Sequence, residues 1–280
     1  MTDFLLARLG FVTLITPGAV FLIICFIIPV ALLLQQSFFD PDFTFDFYRK
    51  AFSSPVYLSV FKVSFEIALV STALSLLASY PLAFALIIAP TRLRALMLGL
   101  ILLPFWTNIL IRCYAWMLVL QTKGMVNSVL TSSGILSAPA ELVFNTTGVL
   151  IGMTHYLIPI NTLMLYSSMK GIDLQLLNAA KGLGADPLRA FVNVFFPLSL
   201  PALKASAVLV FVIALGFFVT PALLGGRGDI TVAMLISSYF SELLNWGFGS
   251  ALATLLLIFT AALLILYYSF QRDAQDRRAK

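Results

Sequence analysis

One histidine and two cysteines are the chain's whole stock of imidazole and thiolate metal ligands. His155, Cys25 and Cys113 fall in three different apolar runs, with no HExxH or CxxC spacing, so the sequence offers no zinc site. No GxSxG nucleophile elbow and no Walker A phosphate cradle occur either. No residue is therefore assigned a catalytic role. The polar groups that remain inside apolar stretches suit recognition rather than bond making. Lys62 and Glu66 stand one helical turn apart, as do Asn108 and Arg112. Glu66 would either pair with Lys62 or attract a cation. Trp106, Tyr114 and Trp116 offer ring faces close by, and Pro104 frees a backbone carbonyl and can kink a helix. Polar groups at membrane depth need protein or water partners. Asn108 and Arg112 then read equally as a clasp between helices or as part of a path, and His155 reads as a packing residue bonded to a neighbouring helix.

The elements that must carry these groups follow from composition. The 280 residues are 61% hydrophobic and 10% charged. No soluble domain of this size covers its surface with so few polar side chains. The apolar runs are long and continuous, not short and alternating, so the fold class is an all-α polytopic membrane protein, a single domain over residues 1–280. Six spans are expected, at about residues 11–35, 59–88, 95–120, 143–168, 202–224 and 249–270. The first is too long, and lacks a small-x-small cleavage site, for a signal peptide. Phe43, Phe45 and Phe47 alternate with polar residues and predict a half-buried extended piece. Short helices are expected over 125–130 and 231–244. Asp229 and Glu242, in the last outer loop, read as solvated charges or contacts to a binding protein.

An even number of spans puts both termini on one side. Arg8, Arg92, Arg94, Lys170, Lys181, Arg189, Arg272, Arg277, Arg278 and Lys280 share that side, against Arg49, Lys50, Lys123 and Arg227 on the other. The positive-inside rule makes the richer side cytoplasmic. The basic excess thus tracks loops facing the cytoplasm, not nucleic acid. No internal repeat supports an inverted-repeat carrier.

Between the fourth and fifth spans lies a polar elbow, residues 170–200, centred on NAAKGLGADPLRAFVNVFFP. Leu174, Leu177 and Ala180 recur at helical spacing behind Asp173, an N-cap candidate. Gly184 can take the left-handed conformation that ends a helix, and Asp186-Pro187 restarts one. Leu188, Phe191, Val192 and Phe195 give the second helix an apolar stripe, which on a water-exposed elbow calls for a protein partner.

Ala179-Ala180, then Gly184, then Val194-Phe195-Phe196-Pro197 resembles the EAA loop of ABC-importer permeases, with Asn178 where that pattern has Glu. LPFWTNILIRCYAW from Leu103, the Tyr80-Pro81-Leu82-Ala83 segment, the Pro221 to Gly226 run and the Trp246 to Ala251 run resemble the spermidine/putrescine branch, Gly247 standing where Pro is usual. The resemblance implies a type I importer bundle whose elbow forms a coupling helix on an ATPase subunit. Asn178, Ala179, Ala180, Gly184, Ala185, Asp186 and Pro197 would then be the coupling residues, and Glu66, Trp106, Asn108, Tyr114 and Trp116 the candidate path. It further implies a second permease chain, two ATPase subunits that bind ATP and magnesium in place of this chain, and a periplasmic solute-binding protein, in a bacterial inner membrane. The cargo implied is putrescine or spermidine. An amino acid derivative, an opine or a phosphonate is the alternative within the family, and an intramembrane enzyme or a stand-alone carrier the alternative outside it.

Overall fold

The computed structural model describes residues 16–39 and 42–278, with side chains as far as residue 269. The N-terminal tail over residues 1–10, the first residues of the expected first span and Lys280 lie outside them. The named elements are all helices. One isolated bridge, Phe39 to Phe43, is the extended pairing found among the described residues.

Six helical stretches are long and apolar enough to cross a membrane: Thr16–Gln36, Pro55–Ile88, Ile109–Ser132, Thr146–Met169, Pro187–Leu215 and Trp246–Ser269. Four follow the sequence closely, and two do not. The expected third span, 95–120, is broken. It consists of helix α4 (Thr91–Leu102), a 3₁₀ turn (Leu103–Trp106), two residues of extended backbone and helix α5 (Ile109–Leu120), after which α6 (Met125–Ser132) comes beyond a short turn. The fifth span begins well before residue 202, because the helix that restarts at Pro187 runs on to Leu215. Residues 219–224 form a separate helix, α10 (Val219–Leu224). The last helix, α12 (Trp246–Arg278), does not stop at residue 270.

The described residues divide into two compact units. The smaller holds the chain up to Tyr57 together with Leu235–Phe259. The predicted extended piece survives only to Phe45, since α2 (Asp46–Ser53) buries Phe47 and Ala51 on one face while Phe43 and Phe45 stay exposed. Phe47, Tyr57 and Tyr239 pack on the buried Phe248 ring, and the Tyr57 and Tyr239 hydroxyls bond at 2.8 Å. A Cβ on Gly247 would meet the Phe47 ring at 2.5 Å, which leaves no room for a proline there.

The larger unit holds α3 (Pro55–Ile88), α7 (Thr146–Met169) and α9 (Pro187–Leu215). Apolar patterning cannot orient helices in lipid, because every face is apolar; small and polar residues do it instead. In α3, Ser64, Ser71, Ser75 and Ser79 repeat at helical spacing and are all buried. Asn161 of α7 donates to Ser75 Oγ at 2.6 Å and accepts from Ser206 Oγ of α9 at 2.6 Å, a polar clasp of three helices. Ser79 donates to the Ile158 carbonyl at 3.0 Å. Gly152 lets α10 lie against α7, since a Cβ there would meet Leu224 at 2.5 Å and Thr220 at 2.7 Å.

Candidate functional site

The elbow's corner is built as the sequence implies, and the helix beyond it is not. Helix α8 (Gln175–Gly182) starts where Asp173 accepts from the Gln175 amide at 2.9 Å, one residue ahead of the formal N-cap Leu174. At its end the Ala185 amide donates to the Ala180 carbonyl at 3.1 Å and the Gly184 amide to the Lys181 carbonyl at 3.0 Å. This six-to-one and five-to-two pair is a Schellman ending, with Gly184 at the left-handed position, φ 88°. Asp186 then caps α9, accepting from the Arg189 amide at 2.6 Å, with Pro187 at the first helical position.

Past that point the second helix is not a separate piece between spans. It widens into a π-turn over Phe191–Phe195 and runs straight into the membrane helix. Pro197 has no N–H to continue the regular ladder, and the wide turn just before it absorbs the gap, closed by the Phe196 amide on the Phe191 carbonyl. Half of the predicted apolar stripe is therefore core. Phe195 is fully buried, and Phe84 packs edge-on against both Phe191 and Phe195. Phe195 joins Ala83, Leu165 and Met169 in one cluster, with Leu174 and Leu177 against it. Tyr80 adds a hydroxyl bond of 2.6 Å to Ser199. The elbow is thus bolted to the ends of α3 and α7 and should move with them.

The outer surface of the elbow is apolar all the same. Leu183 is 91% exposed at the tip of the turn, and Leu188 is 70% exposed just beyond it. A groove of about 570 Å³ opens between α8, the start of α9 and the end of α3, where Phe84 and Ile88 form one wall. Asn178 lines this groove and Ala179 faces outward, while Ala180 and Ala185 are half-buried. Neither Leu183 nor Ile88 stood out in the sequence, since in an apolar chain one leucine signals nothing until the turn beside it is placed.

The other candidate residues fall into two groups that the fold does not unite. Glu66 pairs with Lys62 at 3.7 Å, and both are exposed. It also lines a cleft of about 450 Å³ with Val63, Ile67, Val70, Leu150 and Asp229. Asp229 is not the solvated charge expected: it is buried, and it accepts from the Thr146 hydroxyl and, at 2.8 Å, from the Gly226 amide. Trp106, Asn108, Tyr114 and Trp116 do not line that cleft. Trp106 is 90% exposed on the 3₁₀ turn. Asn108 does not share a helical face with Arg112; it is the N-cap of α5, accepting from the Leu110 amide at 2.8 Å. Arg112 folds back on its own chain break and not onto a neighbouring backbone, donating to the Pro104 and Thr107 carbonyls, while its guanidinium lies 5.4 Å from the Tyr156 ring centre. Tyr114 is exposed, whereas Trp116 spends its N–H on His155 Nδ1 at 3.3 Å. His155 is thus bonded to a neighbouring helix, as expected of it.

A bundle of membrane-crossing helices with a capped elbow between the fourth and fifth defines the permease class of the ABC importers, a transport subunit and not an enzyme. The chain belongs to the family described as binding-protein-dependent transport system inner membrane component, which matches residues 2–280. It is similar to the spermidine/putrescine transport system permease protein PotB of Escherichia coli, 35% identical over 238 residues, 85% of this chain and 86% of that one. The Haemophilus influenzae PotB is 37% identical over 255 residues, 88% and 89% of the two chains. Among solved structures, a bacterial ABC transporter involved in the import of the acidic polysaccharide alginate has the same fold. Its TM-score is 0.73 at 18% identity, with 97% of this chain and 98% of that chain covered.

Proposed function

We propose that this permease forms half of the translocation path for a small polyamine such as putrescine or spermidine. The observation that carries the reading is identity above one third, across most of both chains, to permeases named for those cargoes. The cleft with Glu66 and Asp229 is consistent with it: carboxylates between aliphatic walls suit ammonium groups joined by methylenes. The cargo's other half-path comes from a second, related permease. Two ATPase subunits bind ATP, and a periplasmic binding protein delivers the solute. Closure of the ATPases draws the two elbows together and opens the path outward; hydrolysis resets it, as rigid-body alternating access.

Glu66 is the residue expected to greet the ammonium, exchanging its exposed Lys62 partner for the cargo. Trp106, outside that cleft, is expected to meet the cargo separately, with roughly 0.5–2 kcal/mol of cation–π attraction. The test is uptake by the reconstituted complex at matched expression. Glu66→Gln and Trp106→Ala are each expected to lose polyamine uptake several-fold with ATPase coupling retained. Unchanged uptake in both moves the path elsewhere, and uptake of an anion overturns the cargo.

In this reading both termini and residues 170–200 face the cytoplasm. With the spans as the sequence sets them, ten of the basic residues outside the spans lie on that side and four on the other. A single cysteine at Asp186 is expected to resist an impermeant thiol reagent in intact cells and to react once the membrane is opened. Labelling from outside would invert the topology and remove the elbow from any ATPase.

A further inference from the structure

We propose that the groove under the elbow receives an apolar side chain flanked by a carboxylate from the ATPase subunit, and that Lys181 selects that partner by charge. The inference rests on the reading of the elbow as the ATPase dock and adds what the dock accepts. The elbow does more than insert; it also receives.

The groove's walls are apolar: Phe84 and Ile88 from α3, Leu177 from α8, Leu188 and Phe191 from α9. Ile88 is 58% exposed. A volume of about 570 Å³ lies within the range of pockets that take small organic groups, ample for an aromatic ring with a neighbouring carboxylate. Among the described residues, Lys181 is the one charged side chain lining it. Of the other elbow charges, Lys170 lies outside the groove and the rest are engaged. Asp186 caps α9 and sits 3.9 Å from Arg189, and Asp173 accepts from the Gln175 amide. Among the described residues Lys181 makes no ion pair and no side-chain hydrogen bond. The wall therefore carries one uncompensated positive charge beside uncovered hydrocarbon, and its complement is an acidic, apolar knob. Asn178, one turn before Lys181 in α8 and lining the same groove, is neutral. A glutamate there would supply a weak intrahelical partner for the ammonium at i, i+3 and would soften the selection without abolishing it. Leu183 and Leu188, exposed on either side of the Gly184 turn, supply the apolar anchors around which such a charge contact is dehydrated.

The experiment measures association of the system's own ATPase subunit with the two-permease assembly in nanodiscs. Lys181→Glu is expected to weaken it about ten-fold. Asn178→Glu, which restores the family residue, is expected to be tolerated, lowering association no more than about two-fold through its pairing with Lys181. Lys170→Glu, the same charge change outside the groove, keeps the wild-type affinity. Replacing an acidic residue of the ATPase's docking surface by lysine should restore binding to Lys181→Glu. Unchanged association in Lys181→Glu, or tighter association in Asn178→Glu, overturns the proposal, and so does loss of co-purified anionic lipid with ATPase binding intact. Leu183→Ser separates the two levels. If it weakens association while the Lys181 variant does not, only the charge selection falls. If it leaves association untouched, the elbow is not the dock and both readings fall.

Discussion

Gly184→Val is expected to lower ATP-driven uptake at least ten-fold and to strip the ATPase subunits from the complex, while the permease still inserts in normal amount. The cause is conformational and nothing else. A Cβ at Gly184 would find no atom within 4 Å, so there is room for the side chain. The backbone, however, sits at φ 88°, where L residues lose roughly 1–2 kcal/mol and β-branched ones more. That strain is relieved most simply by opening the Schellman turn, which releases the Ala185 to Ala180 bond and displaces Leu183 and Leu188 relative to one another. The spans are unaffected, because Phe195 and Leu177 hold the elbow's base on α3 and α7. Gly184→Asn is the control, since asparagine visits the left-handed region readily, and it should retain most of the activity. Normal stimulation of ATP hydrolysis by the loaded binding protein in Gly184→Val would remove the coupling role from this turn.

Arg112→Leu is expected to destabilise the permease by about 3 kcal/mol or more, seen as a clear drop in Tm in detergent and in steady-state level. The 3₁₀ turn and the extended Thr107 and Asn108 leave backbone carbonyls without helical partners at membrane depth. Arg112 Nη2 donates to the Pro104 and Thr107 carbonyls, the Thr107 bond at 3.0 Å, and adds a contact of 3.3 Å to the Thr107 hydroxyl. The Pro104 carbonyl also accepts from the Thr107 amide at 3.3 Å and the Thr107 hydroxyl at 2.8 Å, so the Thr107 carbonyl is the one that depends on Arg112. Bonds to a charged donor are worth about 1.5–3 kcal/mol each, and the Thr107 carbonyl left without Arg112 adds its own desolvation cost. Arg112→Lys should recover part of the loss, because all three contacts come from the single Nη2 nitrogen, whose place an ammonium with three donors can take. Wild-type Tm in Arg112→Leu would mean that the break is held by Asn108 capping and packing alone.

Much of this protein is legible in its sequence. Length of apolar run fixes the class and the span count, because lipid thickness admits few alternatives. The elbow's corner is equally legible, since glycine, aspartate and proline act through local backbone preferences. Gly184, Asp186 and Pro187 do in the fold what their types dictate. The resemblance carried by the Ala179-Ala180 and Gly184 spacing agreed with the family as well.

Only the tertiary structure decided the rest. Continuous hydrophobicity hid the break in the third span, because Leu103 to Trp106 is as apolar as the helices beside it and nothing but Pro104 hinted at a turn. The fifth span swallowed the second elbow helix for a related reason. Phe191 and Phe195 read as an exposed stripe until α3 supplied Phe84 for them to pack on. Asp229 seemed solvated until Thr146, eighty-three residues away, was brought to its carboxylate. Local propensity is written residue by residue, but burial is a property of neighbours. In a chain where nearly every side chain is apolar, hydrophobicity says which segments enter the membrane and not which faces meet within it.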